Sequence, residues 1–103
     1  LKQTCAEFGA LLILDEIYTG FGRTGNMFAA TTFGIKPHII TIAKGLSSGY
    51  LPIGAVAFAD HLIKDFFELG GEFYHGMTYA GHPVACAVAL RNIEIIEQEK
   101  LVE

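Results

Sequence analysis

Two residues of this 103-residue chain have both the type and the setting for chemistry, Asp15 and Lys44. Asp15 follows the apolar run 10–14 (ALLIL), and Lys44 follows the β-branched run 38–43 (HIITIA). Short runs that are apolar on both faces suit buried parallel strands. In an open α/β sheet, ligands gather beyond the carboxyl ends of the strands. A carboxylate and an amine then converge on one edge, where the first can hold a cationic group and the second can attack a carbonyl or move a proton. The plain alternative is a salt bridge, or a lysine pointing into solvent. The residues after Lys44 favour chemistry, because Gly45, Ser47, Ser48 and Gly49 are small and leave room for something bulky over the amine. A lysine partly buried in such a place is a better nucleophile or base.

Other motifs carry less. Residues 20–25 (GFGRTG) match G-x-G-x-x-G after a strand. Dinucleotide binding also needs a helix opening at the motif and an acid about 20 residues on. The next residues, NMFAATTFG, make a poor helix start, and no acid lies between Glu16 and Asp60. LLILDE is similar to the strand and acids that hold Mg²⁺ in ATPases, yet the chain has no G-x-x-x-x-G-K-[ST]. His38, His61, His75 and His82 show no ligand spacing, so no metal is expected.

The elements that must position Asp15 and Lys44 can be read in order. Residues 1–8 are weakly helical and Gly9 is a fitting stop. Residues 17–37, rich in Gly and Thr, read mostly as loop, and 44–52 as another. Residues 53–59 (IGAVAFA) form a third strand, and Asp60 is a good N-cap for a helix over 61–69. Gly70-Gly71 breaks that helix. Pro83 fits the first turn of the longest helix. On it, Val84, Val88, Arg91 and Ile95 share one face, with Ala85, Ala89, Ile93 and Ile96 beside it. Charges gather at its far end, in Glu94, Glu97, Glu99 and Lys100. There is no repeat, low-complexity stretch or linker, and the loose alternation of strands and helices predicts the α/β class.

Composition bounds the partners. Apolar residues make up 51% and charged ones 17%, the reverse of a disordered chain. The net charge of −4 and the absence of a basic patch argue against nucleic acid or an anionic membrane. No apolar run approaches the roughly 18 residues of a membrane span. Cys5 and Cys86 lack CxxC spacing and read as small buried hydrophobes in a reducing compartment; no targeting signal is visible, so the cytoplasm is the default expectation. The chain starts at Leu1 and both ends read as cut, so a fragment is expected.

Three stretches resemble one family. LLILDEIYTGFGRTG (11–25), PHIITIAKGLSSGYLPIGAV (37–56) and HGMTYAGHPVACAVAL (75–90) are similar, in that order, to the central part of class III aminotransferases. The 29-residue step from Asp15 to Lys44 also fits. These are pyridoxal 5'-phosphate (PLP) enzymes of fold type I, the aspartate aminotransferase-like fold. The resemblance implies that 1–103 is a partial PLP-binding large domain, truncated at both ends, with a mostly parallel sheet and flanking helices. It implies that Lys44 is the lysine whose amine condenses with the cofactor aldehyde and later moves the substrate proton. Asp15 then pairs with the pyridine nitrogen and keeps it protonated. Ile17 packs on one ring face. Thr78 binds the cofactor phosphate of the neighbouring subunit, which implies a homodimer or higher.

Glu16 and Arg23 belong to the motif but read as structural, ordering the loop. Tyr74-His75-Gly76 is not the family's ring-covering aromatic-His pair, which lies upstream. His38 departs from the aspartate usual after the proline, and that departure is expected to affect local structure.

The implied reaction moves an amino group, in two half-reactions, from an amine, diamine or ω-amino acid to a keto acid such as pyruvate. The stretch 71–90 is most similar to ω-amino-acid and diamine transaminases. A decarboxylase or aminomutase on the same scaffold is the alternative, or a catalytically inactive fragment or pseudoenzyme. The 103 residues alone are expected to be inactive and to aggregate through unpaired sheet edges.

Overall fold

The computed structural model describes residues 1–102, with Asp65 described by its backbone alone. Glu103, the last residue of the expected domain piece, lies outside them. Helix α1 (Lys2–Glu7) opens the chain and ends at Gly9, whose φ of +62° is the left-handed conformation that glycine adopts freely. Strands β1 (Ile13–Asp15), β2 (Ile39–Ile42) and β3 (Ala55–Phe58) form one sheet in that order. The short helix α2 (Ala29–Thr32) lies between β1 and β2. A 3-10 turn (Lys44–Leu46) follows β2, and helices α3 (Asp60–Glu68) and α4 (Pro83–Gln98) complete the order.

The α/β class is present, but the sheet is mixed where a mostly parallel one is expected. β1 and β2 run parallel, with Ile13 opposite Ile39 and Asp15 opposite Thr41. β2 and β3 run antiparallel, with Ile39 opposite Phe58 and Ile42 opposite Ala55. The connections explain the difference. A parallel pair needs a long crossover, and the segment holding α2 supplies one between β1 and β2. Between β2 and β3 the chain has only the 3-10 turn and loop, so it folds straight back.

The strands are also shorter and less buried than expected. Leu12, just before β1, is already tied to the start of the second strand. Its N–H donates to Nδ1 of His38 at 2.8 Å, and its carbonyl accepts the His38 N–H at 2.9 Å. Asp15, paired with Thr41, is the last residue of the strand rather than the first after it. β1 alternates exposed and half-buried residues, β2 is half-buried and β3 is exposed. The expectation of strands buried on both faces is not met within these residues, where α4 packs on the Lys44–Leu46 turn.

Residues 17–37 are not all loop, because α2 forms there against a buried carboxylate described below. α3 includes Asp60 as its first residue and stops at Gly70 (φ +72°). Pro83 opens α4, and Nδ1 of His82 accepts the Ala85 N–H at 3.4 Å. Of the two adjoining faces of α4, the Ala85–Ala89–Ile96 side is buried. The other carries the exposed Val84 and Arg91, the latter paired with Glu94 at 3.0 Å. Cys5 and Cys86 are half-buried free thiols. Among the described residues, no helix is long and apolar enough to cross a membrane.

Candidate active site

The parallel register fixes where the two chemical residues lie. Asp15 is opposite Thr41, and Lys44 is three residues beyond Thr41, so both stand at the carboxyl edge of adjacent parallel strands. The Glu16 N–H donates to the Thr41 carbonyl at 2.9 Å, which carries the pairing one residue past the strand. Asp15 is exposed, and its Oδ1 accepts the Ile17 N–H at 2.9 Å. That local bond, of the Asx-turn kind, turns the chain and leaves Ile17 half-buried beside the carboxylate.

Lys44 is exposed among the described residues rather than partly buried. Its φ is +43°, a left-handed conformation that costs a non-glycine residue roughly 1–2 kcal/mol. Lys44 Nζ lies 4.4 Å from the centroid of the Tyr18 ring, and the Arg23 guanidinium carbon lies 5.4 Å from the same centroid. Both are cation–π contacts. Tyr18 is a site residue that the sequence reading passed over. Its signal was an aromatic residue three positions after Asp15 in the same motif. Arg23, read as structural, joins the site through that ring.

The loop behind the site is built on Glu16, which is 1% exposed. Its carboxylate accepts the Thr19 hydroxyl, the Ala29 N–H at 3.1 Å and the Ala30 N–H at 2.6 Å. An anion at the first turn of α2 satisfies two of the donors that a helix start leaves open. This is the loop-ordering role expected for Glu16. It also accounts for GFGRTG, since the helix donors that a phosphate would need are occupied by the protein's own carboxylate. Gly20 belongs to the same turn, where a Cβ would fall 2.9 Å from the Glu16 carbonyl oxygen.

The turn after Lys44 is held from α4. The Asn92 side-chain amide donates to the Gly45 carbonyl at 2.8 Å and to the Leu46 carbonyl at 3.1 Å. Its oxygen accepts the Ser48 hydroxyl at 2.6 Å. Ser47, 2% exposed, donates to the Leu51 carbonyl at 2.7 Å. Asn92 is a second residue that the sequence reading missed, although its spacing from Ala85, Ala89 and Ile96 places it on the buried stripe.

Thr78 stands apart. It is exposed in the turn before α4, and among the described residues no hydrogen bond joins it to Asp15, Ile17 or Lys44. Nearby, the Tyr74 hydroxyl donates to the Glu72 carboxylate, which holds the phenol above its ordinary 10.0. A shallow hollow of about 200 Å³ beside β1 is lined by Asp15, Glu16, Thr19 and α2, but not by Lys44. Among the described residues, no three His, Cys, Asp or Glu side chains gather to hold a metal.

The residues at the edge fit a cofactor with an aldehyde and a basic ring nitrogen. Lys44 offers an accessible primary amine, Asp15 an accessible carboxylate and Ile17 an apolar surface beside it. The chain matches the family model "Aminotransferase class-III" over residues 1–103. It is 48% identical over 103 residues to a putrescine–pyruvate aminotransferase of Pseudomonas aeruginosa, covering 100% of this chain and 22% of that protein. Among solved structures, a transaminase from a marine Virgibacillus superposes with a TM-score of 0.93 at 47% identity, over 99% of this chain and 23% of that one. An (S)-enantioselective omega-transaminase from Thermomicrobium roseum superposes with a TM-score of 0.92 at 49% identity, again over 99% and 23%. The chain thus spans under a quarter of the length of these relatives. With the family model matched from end to end, it belongs to the class III aminotransferases.

Proposed function

We propose that the protein to which these residues belong is a PLP-dependent aminotransferase. It moves an amino group from an amine, diamine or ω-amino acid to a keto acid such as pyruvate. These 103 residues supply part of its PLP-binding large domain, of fold type I. The observation that carries this reading is the placement of Asp15 and Lys44 at the same carboxyl edge of adjacent parallel strands. Family membership supports the reaction class, and the putrescine–pyruvate relative supports the substrate class.

The chain's own residues divide the work. When bound, PLP supplies an electron sink for the substrate's amine-bearing carbon. The Asp15 carboxylate holds a proton on the ring nitrogen. Ile17 offers an apolar face and excludes water from it. Lys44 Nζ would hold the cofactor at its aldehyde and would accept the proton that leaves the substrate carbon. The Tyr18 ring keeps that amine at the sheet edge between uses. Thr78, exposed and apart from Lys44, donates its hydroxyl to the phosphate held by a neighbouring subunit, so the active form is at least a homodimer. The free thiols Cys5 and Cys86 support a reducing compartment, the cytoplasm.

The test uses the full-length protein reconstituted with PLP. A visible band should appear, and borohydride should abolish it and leave the cofactor's mass on the peptide that contains Lys44. Lys44→Ala should show neither the band nor the labelled peptide. A band and label that persist in Lys44→Ala would remove Lys44 from its role. Pyruvate paired with diamine and ω-amino-acid donors then tests the substrate class.

A further inference from the structure

Helix α4 turns one polar side chain toward the turn it packs on. Ala85, Ala89 and Ile96 are its buried residues, and Asn92 falls in register with them and is half-buried. An amide placed there loses water and must find partners. It finds them on one short stretch, the residues after Lys44. The Asn92 amide donates to the carbonyls of Gly45 (2.8 Å) and Leu46 (3.1 Å), while its oxygen accepts from Ser48 Oγ (2.6 Å). One side chain thus grips the turn at three sites.

That turn is under backbone strain at both ends. Lys44 has φ +43° and Ser48 has φ +50°, and neither is glycine. Left-handed conformations at such residues persist only where the surroundings impose them. Asn92 touches the residues between these two positions and bonds the second directly. The direction in which the Lys44 side chain leaves the sheet edge is set by this backbone conformation.

We infer that Asn92 is a positioning residue for Lys44. By gripping residues 45–48 from α4, it holds the left-handed conformation that aims the Lys44 amine. This inference rests on the reading of Lys44 as the residue that takes the cofactor aldehyde. A purely structural Asn92 would tie α4 to the turn and affect stability alone. A positioning Asn92 affects the chemistry at Lys44 in protein that remains folded.

The experiment compares full-length Asn92→Ala, Asn92→Asp and Ser48→Ala with the parent, each reconstituted with PLP. Four readouts are taken: thermal midpoint, kcat and KM for the amine, the pH midpoint of the visible band, and borohydride labelling of Lys44. Asn92→Ala should lower kcat about tenfold or more, with KM changed far less, and should shift the pH midpoint of the band. Asn92→Asp keeps the acceptor for Ser48 and loses both donors to the carbonyls, so it should resemble Asn92→Ala. Ser48→Ala removes one bond of three and should shift kcat and the band in the same direction by less. It also provides the test should neither Asn92 variant fold. A fall in thermal midpoint with kcat and band midpoint unchanged would overturn the inference. If the parent itself fails to label at Lys44, both this inference and the reading beneath it fall. If the parent labels normally while folded variants behave as the parent does, only the role of Asn92 falls.

Discussion

Gly45 and Phe21 approach so closely that a Cβ on residue 45 would lie 2.8 Å from the Phe21 Cβ and 2.9 Å from its Cδ2. Phe21 cannot easily retreat. It is left-handed itself (φ +61°), its N–H donates to the Met27 carbonyl at 2.6 Å, and its ring meets Phe28 edge-on at 5.7 Å. The loop after β1 and the turn after β2 are therefore locked together next to Lys44. Gly45→Ala should destabilise the full-length protein by about 1–3 kcal/mol and reduce PLP occupancy. Adding Phe21→Gly, which removes that Cβ as well as the ring, should relieve the clash, so the double variant should be less destabilised than the two single changes summed. Urea unfolding of all four proteins measures this coupling. A strictly additive result would show that the contact is not what requires glycine.

Asp15, Ile17 and Lys44 could be singled out as candidates because they are local to two motifs. Asp15 and Lys44 were placed by the apolar runs that precede them, and the parallel register then had to bring them to one edge. Glu16 could be read as ordering its loop. Its partners could not, because they lie 13 and 14 residues away at a four-residue helix with no N-cap side-chain bond of its own. Asn92 and Tyr18 were missed for a similar reason. Their contacts are with the Lys44 region, and in Asn92's case 44 to 47 residues separate the partners. The mixed sheet went unread because strand direction depends on what joins the strands. His38 illustrates the opposite case, since a residue out of place in the motif keeps a hydrogen-bond acceptor for the Leu12 N–H.

Glu16 supports the loop with a charge that has no water to turn to. Glu16→Ala leaves the Ala29 and Ala30 N–H groups buried without an acceptor. The cost should be roughly 2–5 kcal/mol in unfolding free energy. Glu16→Gln keeps one acceptor oxygen and should cost less. Thermal unfolding of the full-length variants gives the order, and equal midpoints for Glu16→Ala and the parent would show that the loop does not depend on this carboxylate.

Asp15 allows charge to be separated from shape. An asparagine oxygen can still accept the Ile17 N–H, so Asp15→Asn preserves the local turn while removing the negative charge. If Asp15 holds a proton on the cofactor nitrogen, Asp15→Asn should lower kcat by about 10²–10³-fold. Lys44 should still be labelled by borohydride, and the thermal midpoint of the apoprotein should barely change. Steady-state kinetics alongside peptide mapping checks both halves. Near-parent kcat in Asp15→Asn would assign the charge no part in the reaction.

Thr78 tests whether the site is shared between subunits. If Thr78 donates to the cofactor phosphate, a bond to a charged group of about 1.5–3 kcal/mol, Thr78→Val should weaken PLP binding roughly 10- to 100-fold. The decisive form is a hybrid dimer of one Thr78→Val subunit and one Lys44→Ala subunit. If Thr78 serves its neighbour, one site of the hybrid carries both changes and the other carries neither. Half of the sites should then bind PLP with parent affinity and show parent activity. If Thr78 serves its own subunit, each site carries one change, and no site of the hybrid reaches parent affinity. Titrating purified hybrids with PLP separates the two arrangements, because the position of the tight-binding phase does not depend on how well either homodimer behaves.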